Sequence, residues 1–535
     1  MIAASVHRFG RSMPNESGPS PMAQKFLAFC KLFIMKNFRP VTDDDIKHFG
    51  FWLRHTPYIQ QRKAALARIR LELTKWGEQT AKSESFIKWE GYLEPKQPRA
   101  INSYTDESKV IIGMVQHAID QATFRTRSPE GHRWFVKGSN PRTWRERMQT
   151  LFGDQQVMET DFSSFEAHHT DVFSEVVWFF VMHMLRNSAI CGSFKRLVRR
   201  MMMGVNRSTF RYIETRVDQR LMSGAMWTSW ANGVLNLLLM NFMCAETLFP
   251  DADLSDLASA PDDYFSGFVE GDDAIMLNRN IDPVLIKSMN IDLKFEIKQN
   301  FGEASFCGIV CDLAEPGVVT DPIKILRKFN TIPNKYLYSK PTVQLAYLRA
   351  ICLSYATYLM DCPVVGQLCY TVLRRTRGFD VTRVSTELDS YRKHLLQEAI
   401  AEKAWLLEPH VTMAKRMLVE RHFDISIEEQ LRLEEGIRSS PEGSIYLDLS
   451  RHMKANDLNH ALNLVGRICP DHCHPYPKRI QEILDAQGLE VTDPPPTHKA
   501  VVAETLRGAQ VEMQFDSNAY FAFLEARGMV KSTND

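Results

Sequence analysis

The chain has 535 residues, of which 44% are hydrophobic and 24% are charged, and its formal net charge is +1. A near-neutral charge excludes nucleic-acid binding through a global field, so such binding must come from local basic patches. Ten scattered cysteines favour free thiols in a reducing compartment. We expect about three to four domain-sized units, no secretory leader and no membrane span.

The N-terminal region is predicted to combine an arm with helices. Residues 1–22 are rich in Ser, Pro, Gly and Asn, which predicts a surface arm. Residues 24–38, QKFLAFCKLFIMKNF, have apolar side chains at helical spacing and predict an amphipathic helix. We expect it to pack onto the body of the protein, with a membrane surface as the alternative. Further helices are expected past Trp52 and over 60–76.

A basic, extended segment follows at residues 86–101, FIKWEGYLEPKQPRAI, where two prolines exclude a helix. Lys88, Lys96 and Arg99 could neutralise the charge of a triphosphate. An ordinary solvated edge strand explains them equally well. Lys137, before a glycine turn in a second basic stretch, is interpreted as another wall of the same channel.

An acidic residue is predicted at the end of the next strand. Residues 157–161, VMETD, are predicted to form a strand, and a long apolar helix is expected over 167–185. Asp161 would therefore lie where the backbone stops and a ligand can approach. Glu166 follows near the start of the helix. The basic stretch 194–212 then predicts a helix with one cationic face, either solvated or in contact with nucleic acid.

Residues 221–239, LMSGAMWTSWANGVLNLLL, predict a flexible turn at Ser223 and Gly224 followed by a long apolar helix. Thr228 and Asn232 are four residues apart and share one helix face. A hydroxyl and an amide can detect a ribose 2′-OH, which both donates and accepts hydrogen bonds. Helix capping and internal hydrogen bonds are the alternative.

The sequence YFSGFVEGDDAIML predicts two short strands, at 265–269 and 274–277, joined by a tight hairpin. Gly271 suits the first central position of the turn. Asp272 and Asp273 would then stand together at the tip, where repulsion and lost hydration should raise the pKa of at least one. Mg²⁺ would relieve that repulsion. A plain surface turn is the alternative.

The remaining chain is predicted to contain a helix at 283–289, strands at 293–298 and 304–311, and a basic helix at 321–329. From about residue 340 the pattern is helical almost to the end.

Together these motifs resemble those of the RNA-directed RNA polymerases of positive-strand RNA viruses, nearest to the tombusvirus-like and noda-like groups. The resemblance covers about residues 86–375. Its most diagnostic run is SGAMWTSWAN, which reverse transcriptases and DNA polymerases lack. It implies an α+β right-hand fold with fingers, an antiparallel-sheet palm and a helical thumb. The implied division is an N-terminal extension (1–85), fingers (86–155), palm (156–184), a fingers insertion (185–220), a second palm part (221–330), and a thumb with the C-terminal region (331–535).

The resemblance also implies residue roles. Asp161, Asp272 and Asp273 would hold Mg²⁺, with Mn²⁺ as an alternative metal. Lys294 would protonate the pyrophosphate leaving group, and Lys298 is close enough to compete. The implied contacts to nucleotide and template come from Lys88, Glu90, Lys96, Arg99, Lys137, Glu166, Ser223, Gly224, Thr228 and Asn232. Phe306-Cys307-Gly308 would form the primer-grip turn. Glu166 departs from the family, which usually has a second aspartate there.

The expected function is template-directed RNA synthesis from ribonucleoside triphosphates, with the template and nascent RNA as partners. Other viral replication proteins or a host membrane surface are further expected partners, in the host cytoplasm at membrane-associated replication sites. The alternatives are a reverse transcriptase and a catalytically inactive, RNA-binding scaffold.

Overall fold

The computed structural model describes residues 20–441, with gaps, and residues 512–515. The gaps are at 57, 74–81, 89–98, 163–164, 170, 190–191, 212, 219, 255, 257–263, 290, 330–335 and 337–338.

The described chain is a mixed α/β structure. Its helices are α1 (Pro21–Asn37), α2 (Phe49–His55), α3 (Gln60–Glu72), α4 (Asp106–Arg125), α5 (Trp144–Phe152), α6 (Asp171–Met184), α7 (Gly192–Met203), α8 (Thr228–Leu248), α9 (Pro283–Ser288), α10 (Pro322–Phe329), α11 (Pro341–Leu359), α12 (Val365–Arg375), α13 (Ser390–Ala401), α14 (Met413–Phe423) and α15 (Ile427–Ser439). Its strands are β1 (Lys82–Ile87), β2 (Ala100–Tyr104), β3 (Val157–Phe162), β4 (Val205–Thr209), β5 (Ile213–Asp218), β6 (Gly267–Glu270), β7 (Asp273–Leu277), β8 (Leu293–Lys298), β9 (Val310–Cys311), β10 (Val318–Val319) and β11 (Glu512–Phe515).

A four-stranded sheet, here called the central sheet, has the order β6-β7-β3-β8 and is antiparallel throughout. Successive side chains of a strand point to opposite faces. Accordingly, Met158 and Phe162 of β3 belong to one hydrophobic core, and Val157 belongs to a second core on the other face. The first core contains α1, α6 and α8, and the second contains much of α11 and α12. The central sheet therefore lies between two helical layers.

A second, five-stranded sheet, here called the outer sheet, has the order β11-β5-β4-β1-β2. The pairs are antiparallel except β1–β4, which is parallel. The sequence predicted an extended segment here but no such sheet. The helical pattern predicted from about residue 340 almost to the end of the chain does not hold at Glu512–Phe515, which forms a strand beside β5.

Helix α1 packs onto the protein body. Ser20 caps it by accepting a hydrogen bond from the Ala23 amide, and Pro21 follows as its first residue. The rings of Phe26 and Phe29 are fully buried and lie 5.4 Å from that of Phe242 in α8. The expectation that this helix packs its apolar face onto the body of the protein is thus confirmed. Among the described helices, none combines the length and apolarity required to cross a bilayer.

The predicted elements largely match. The strand at 157–161, the GDD hairpin and the strand at 293–298 are confirmed. The helix expected over 167–185 is α6, preceded by the 3-10 helix Phe165–His168. The strand expected over 304–311 is limited to β9, because Phe306 and Ile309 close a tight turn.

Candidate active site

The hairpin between β6 and β7 presents two adjacent carboxylates. Glu270 pairs with Asp273, which leaves a two-residue loop of Gly271 and Asp272. Gly271 has φ +60°, a backbone conformation that glycine adopts without strain. Asp272 is exposed at the turn, while Asp273 is the first residue of β7 and is half-buried. The predicted turn is confirmed, but only Asp272 lies at its tip.

Strand β3 brings Asp161 next to this hairpin. The β3–β7 ladder runs from Val157 opposite Leu277 to Thr160 opposite Ala274. The same register places Asp161 beside Asp273, and cross-strand neighbours are about 5 Å apart. The three predicted carboxylates, 112 positions apart along the chain at most, therefore meet at one end of the central sheet.

Charged residues form a row across this end of the sheet. Glu270 pairs with Asp273, Asp273 adjoins Asp161, and Asp161 pairs with Lys294 of β8. Directly opposed residues share a face, so these four side chains project on the same side. We call Glu270, Asp273, Asp161 and Lys294 the charged row. It lies on the face that packs against the second core, next to the buried Phe268 and Ile275.

The Asp273 carboxyl has a perturbed pKa. Burial and the nearby charges of Asp272, Asp161 and Glu270 together raise it from 3.8 to about 6, against the opposing effect of a hydrogen bond from the Cys307 thiol. The expectation that at least one pKa of the carboxylate pair is raised is confirmed. A nearby positive charge would stabilise the ionised form of this carboxyl.

These oxygen donors suit a divalent cation such as Mg²⁺, because it prefers carboxylate and water ligands. The raised pKa of Asp273 shows that the local negative charge lacks full compensation by the protein. Within the described ranges, however, no three His, Cys, Asp or Glu side chains are already arranged to hold a metal. The donor chemistry thus fits Mg²⁺ or Mn²⁺, whereas the side chains would have to turn towards the ion.

Lys294 and Lys298 occupy different environments. Lys294 is exposed and lies opposite Asp161, near the start of β8 and at the end of the central sheet where the three aspartates meet. Lys298 lies four residues away, opposite Val157, and its Nζ is 2.7 Å from Glu296 and 3.3 Å from Glu159. Both carboxylates that Lys298 contacts lie away from Asp161. Lys294 is therefore better placed than Lys298 to act beside Asp161.

Lys137 reaches the site from the sheet edge. Phe135 bridges to Val269 in parallel, so residues 134–136 extend the sheet beyond β6. The Nζ of Lys137 then lies 2.7 Å from Glu270. The charged row consequently has a lysine near each end. Sequence patterns identified Lys137 but not its partner.

Helix α8 supports the hairpin with an asparagine that the sequence interpretation missed. The buried Asn236 donates from Nδ2 to the Gly271 carbonyl at 3.2 Å, and Gly233 packs close to the Gly271 amide. Asn236 continues the four-residue spacing of Thr228 and Asn232, so extending that stripe by one turn would have identified it.

The other two residues of the stripe differ in their contacts. The Thr228 hydroxyl donates to the carbonyls of Met222 and Ala225, both at 3.0 Å. It is thus engaged in the helix N-terminus, as the alternative predicted. The buried Asn232 Oδ1, in contrast, has no hydrogen-bond partner within the described structure. Asn232 is therefore the one available to a ligand.

The Ser223–Gly224 turn is held against the outer sheet. The buried Asn102 of β2 donates to the Ser223 carbonyl from its amide (2.7 Å) and its side chain (3.1 Å). Gly224 has φ +104°, and a Cβ there would lie 2.8 Å from the Asn102 carbonyl oxygen. Only glycine fits this close contact.

The basic segment 86–101 is described in part. The Lys88 amide donates to the Arg99 carbonyl at 2.8 Å, so the two residues lie at the end of the β1–β2 pair where the chain leaves β1 and enters β2. Lys96 and Glu90 lie outside the described residues, as does the side chain of Glu166.

The Phe306–Ile309 turn packs on the carboxylates. Its two central residues, Cys307 and Gly308, have φ +54° and +74°, and the Cys307 thiol contacts Asp273. Tyr391 of α13 is also close, since burial raises its pKa and the charges of Glu270 and Cys307 add to the effect. Its hydroxyl donates to the Ser139 carbonyl at 3.2 Å. Nothing in the local sequence around Tyr391 indicated this position.

No protein-family model matches the chain, and no curated protein is significantly similar to it. A functional assignment therefore depends on the chemistry of the residues that the fold brings together.

Proposed function

We propose that this protein is an RNA-directed RNA polymerase that copies an RNA template from ribonucleoside triphosphates. The observation that carries the proposal is the adjacency of Asp161 and Asp273 on neighbouring strands, with Asp272 on the turn beside them. Phosphoryl transfer depends mainly on positioning and charge neutralisation, so a converging set of carboxylates is the part it needs most.

Asp161, Asp272 and Asp273 are the residues that would hold Mg²⁺. Bound there, the metal would activate a primer hydroxyl and neutralise charge on the triphosphate. Lys294, opposite Asp161, holds a proton at Nζ that it can give to the departing pyrophosphate. Lys137 forms an ion pair with Glu270 and would make that carboxylate a weaker competitor for the metal.

The neighbouring polar groups support an RNA substrate. Within the described residues, the buried Oδ1 of Asn232 has no hydrogen-bond partner, and it can accept a hydrogen bond from a ribose hydroxyl. The Thr228 hydroxyl is engaged by the backbone, so we propose a structural role for it. Lys88 and Arg99 would approach the triphosphate from the outer sheet.

In this proposal the fold is a right hand. The central sheet would be the palm, the outer sheet part of the fingers, and the helices from α11 to α15 the thumb. The antiparallel order of the central sheet and the dense helical packing after residue 341 support this division. We expect the enzyme to act in the host cytoplasm.

The test uses the purified full-length chain with primed and unprimed RNA templates, Mg²⁺ and ribonucleotides. Asp161→Asn and Asp272→Asn should each lower incorporation by about 100-fold or more, with RNA affinity unchanged. Asp154→Asn is the matched control, because Asp154 is an exposed carboxylate just before the other end of β3. Wild-type incorporation by the Asp272→Asn protein would refute the proposal.

The same assay separates the alternatives. A reverse transcriptase would incorporate deoxynucleotides in preference to ribonucleotides on the same template. An inactive scaffold would bind RNA but incorporate neither type of nucleotide, with Mg²⁺ or with Mn²⁺.

A further inference from the structure

A cavity of about 490 Å³ lies beside helix α4, apart from the charged row. Its walls include residues from the segment before α2, from α2 and from α4. The residues important here are Arg39, Lys47, Phe51, His55, His117 and Arg125. Other positions of α4 face the protein interior, where Thr123 accepts a hydrogen bond from the Trp230 indole at 3.0 Å. The cavity is thus separated from α8 and the central sheet by this helix.

The two arginines of the cavity wall have no direct side-chain partner. In the part of the chain that the structure describes, neither the Arg39 nor the Arg125 guanidinium makes a hydrogen bond or an ion pair. Hydrogen bonds from Thr42 lower the pKa of Asp45, which also lies close enough to Arg39 and Lys47 for their charges to lower it further. Asp45 is the acidic residue of the lining, and its carboxylate already accepts hydrogen bonds from the Thr42 amide (2.8 Å) and hydroxyl (2.9 Å). Lys47 donates to the Asp44 carbonyl. Guanidinium groups left unpaired at a concave surface are suited to phosphate.

The pKa of His117 reflects the positive charge around the cavity. Burial lowers the pKa of His117, and the charges of His55 and Arg125 lower it further. An anion in the cavity would relieve this repulsion between like charges. The electrostatics of the lining therefore favour an anionic ligand over a neutral or cationic one.

An aromatic pair distinguishes this cavity from a simple anion site. The rings of Phe51 and His55 are 4.1 Å apart and inclined by 31°. Phe51 is half-buried, so part of its ring remains accessible from the cavity. Stacking of a base on an aromatic ring, with the adjoining phosphate on arginine, is a common mode of nucleotide recognition.

We propose that this cavity binds a nucleotide, with the phosphate held by Arg39 and Arg125 and the base against Phe51. The nucleotide could belong to a single-stranded RNA or be free in solution, since both present the same chemistry. This site goes beyond the proposed polymerase activity and does not depend on the carboxylates of the charged row.

The experiment measures binding to the full-length Asp272→Asn protein without Mg²⁺. Because it requires no RNA synthesis, its result can be interpreted even if the proposed polymerase activity proves wrong. The probes are a fluorescent 12-nucleotide RNA, ATP, inorganic tripolyphosphate and poly-glutamate. Arg39→Ala and Arg125→Ala should each weaken binding of the nucleotide probe about tenfold and reduce the salt slope by about one. Arg68→Ala is the matched control, because Arg68 is exposed on α3 outside the cavity.

Phe51→Leu, which preserves an apolar side chain, should weaken RNA or ATP binding but leave tripolyphosphate unchanged. If these variants lose binding of RNA alone, the natural ligand is a single-stranded RNA. If they lose binding of ATP, the natural ligand is a free nucleotide. Two outcomes would overturn the proposal. One is wild-type affinity of both arginine variants for RNA and ATP, and the other is an equal loss of poly-glutamate binding.

The arginine variants also provide their own folding control. Removing an unpaired cation from a cluster of like charges should leave the thermal midpoint unchanged or raise it. A lower affinity in a protein with an unchanged midpoint then reports on the cavity itself.

Discussion

Replacing Asp273 by Asn should stabilise the metal-free protein, with a gain that begins above about pH 4 and is complete above about pH 6. Asp273 starts β7 beside Asp161 and next to Asp272, so its negative charge is opposed by burial and by both neighbours. Asn has almost the same shape and cannot ionise. The substitution therefore removes the electrostatic cost while leaving the strand intact.

The magnitude follows from the pKa of this carboxyl. It is raised from 3.8 to about 6 in the folded protein. Each pKa unit corresponds to about 1.4 kcal/mol, so the difference amounts to about 3 kcal/mol. Since the folded state binds the proton more tightly, the stabilisation is fully present below about pH 4 and is lost as the pH rises through about 6. Above pH 6 the ionised Asp273 carboxylate lowers the free energy of unfolding, and the uncharged Asn side chain does not.

The assay is thermal unfolding in EDTA at pH 4.5 and pH 7.5, followed by circular dichroism. Asp273→Asn should raise the midpoint by a few degrees at pH 7.5 and by less at pH 4.5. Asp154→Asn, the exposed carboxylate control, should show no such pH dependence. An equal shift at the two pH values, or a lower midpoint at pH 7.5, would refute the reasoning. Mg²⁺ should then stabilise the wild type more than the variant.

Three further predictions concern groups around the charged row. Lys294→Gln should lower the rate of incorporation while RNA affinity stays unchanged, whereas Lys298→Gln, which loses two ion pairs, should mainly affect stability. Asn236→Ala removes a buried hydrogen bond to the hairpin and should cost about 1–3 kcal/mol, measured by chemical unfolding. Gly224→Ala should reduce both stability and incorporation, because its Cβ would meet the Asn102 carbonyl at 2.8 Å; a wild-type Gly224→Ala protein would contradict this.

The hairpin and its acidic neighbour were predictable because local rules decide them. A glycine between two apolar runs specifies a tight turn. That turn places the adjacent residues Asp272 and Asp273 at the end of the hairpin, independently of the rest of the fold. The strand that carries Asp161 was also predicted, over 157–161, and in the structure it continues to Phe162. That Asp161 lies beside Asp273 is a matter of strand register, which a single sequence does not encode locally.

The other contacts depend on chain segments that are far apart. Lys137 and Glu270 are separated by 133 positions, and Asn102 and Ser223 by 121. The outer sheet joins strands from three distant regions, including Glu512–Phe515, whose short apolar pattern is compatible with a helix as well. Pairing of this kind is selected by tertiary packing and not by local propensity.

The order of charges along the row determines where a cation would bind. Lys137 contacts Glu270 at one end, and Lys294 lies opposite Asp161 at the other. Glu270 has a lysine partner in a direct ion pair, whereas burial and the charges of Asp272, Asp161 and Glu270 raise the pKa of Asp273 to about 6. The uncompensated charge is consequently concentrated between β3 and β7, beside the turn that carries Asp272. A divalent cation gains most at that position, because it relieves the repulsion among all three aspartates at once. In the proposed function, the positive charges of the two lysines would disfavour a metal at either end of the row and favour its middle.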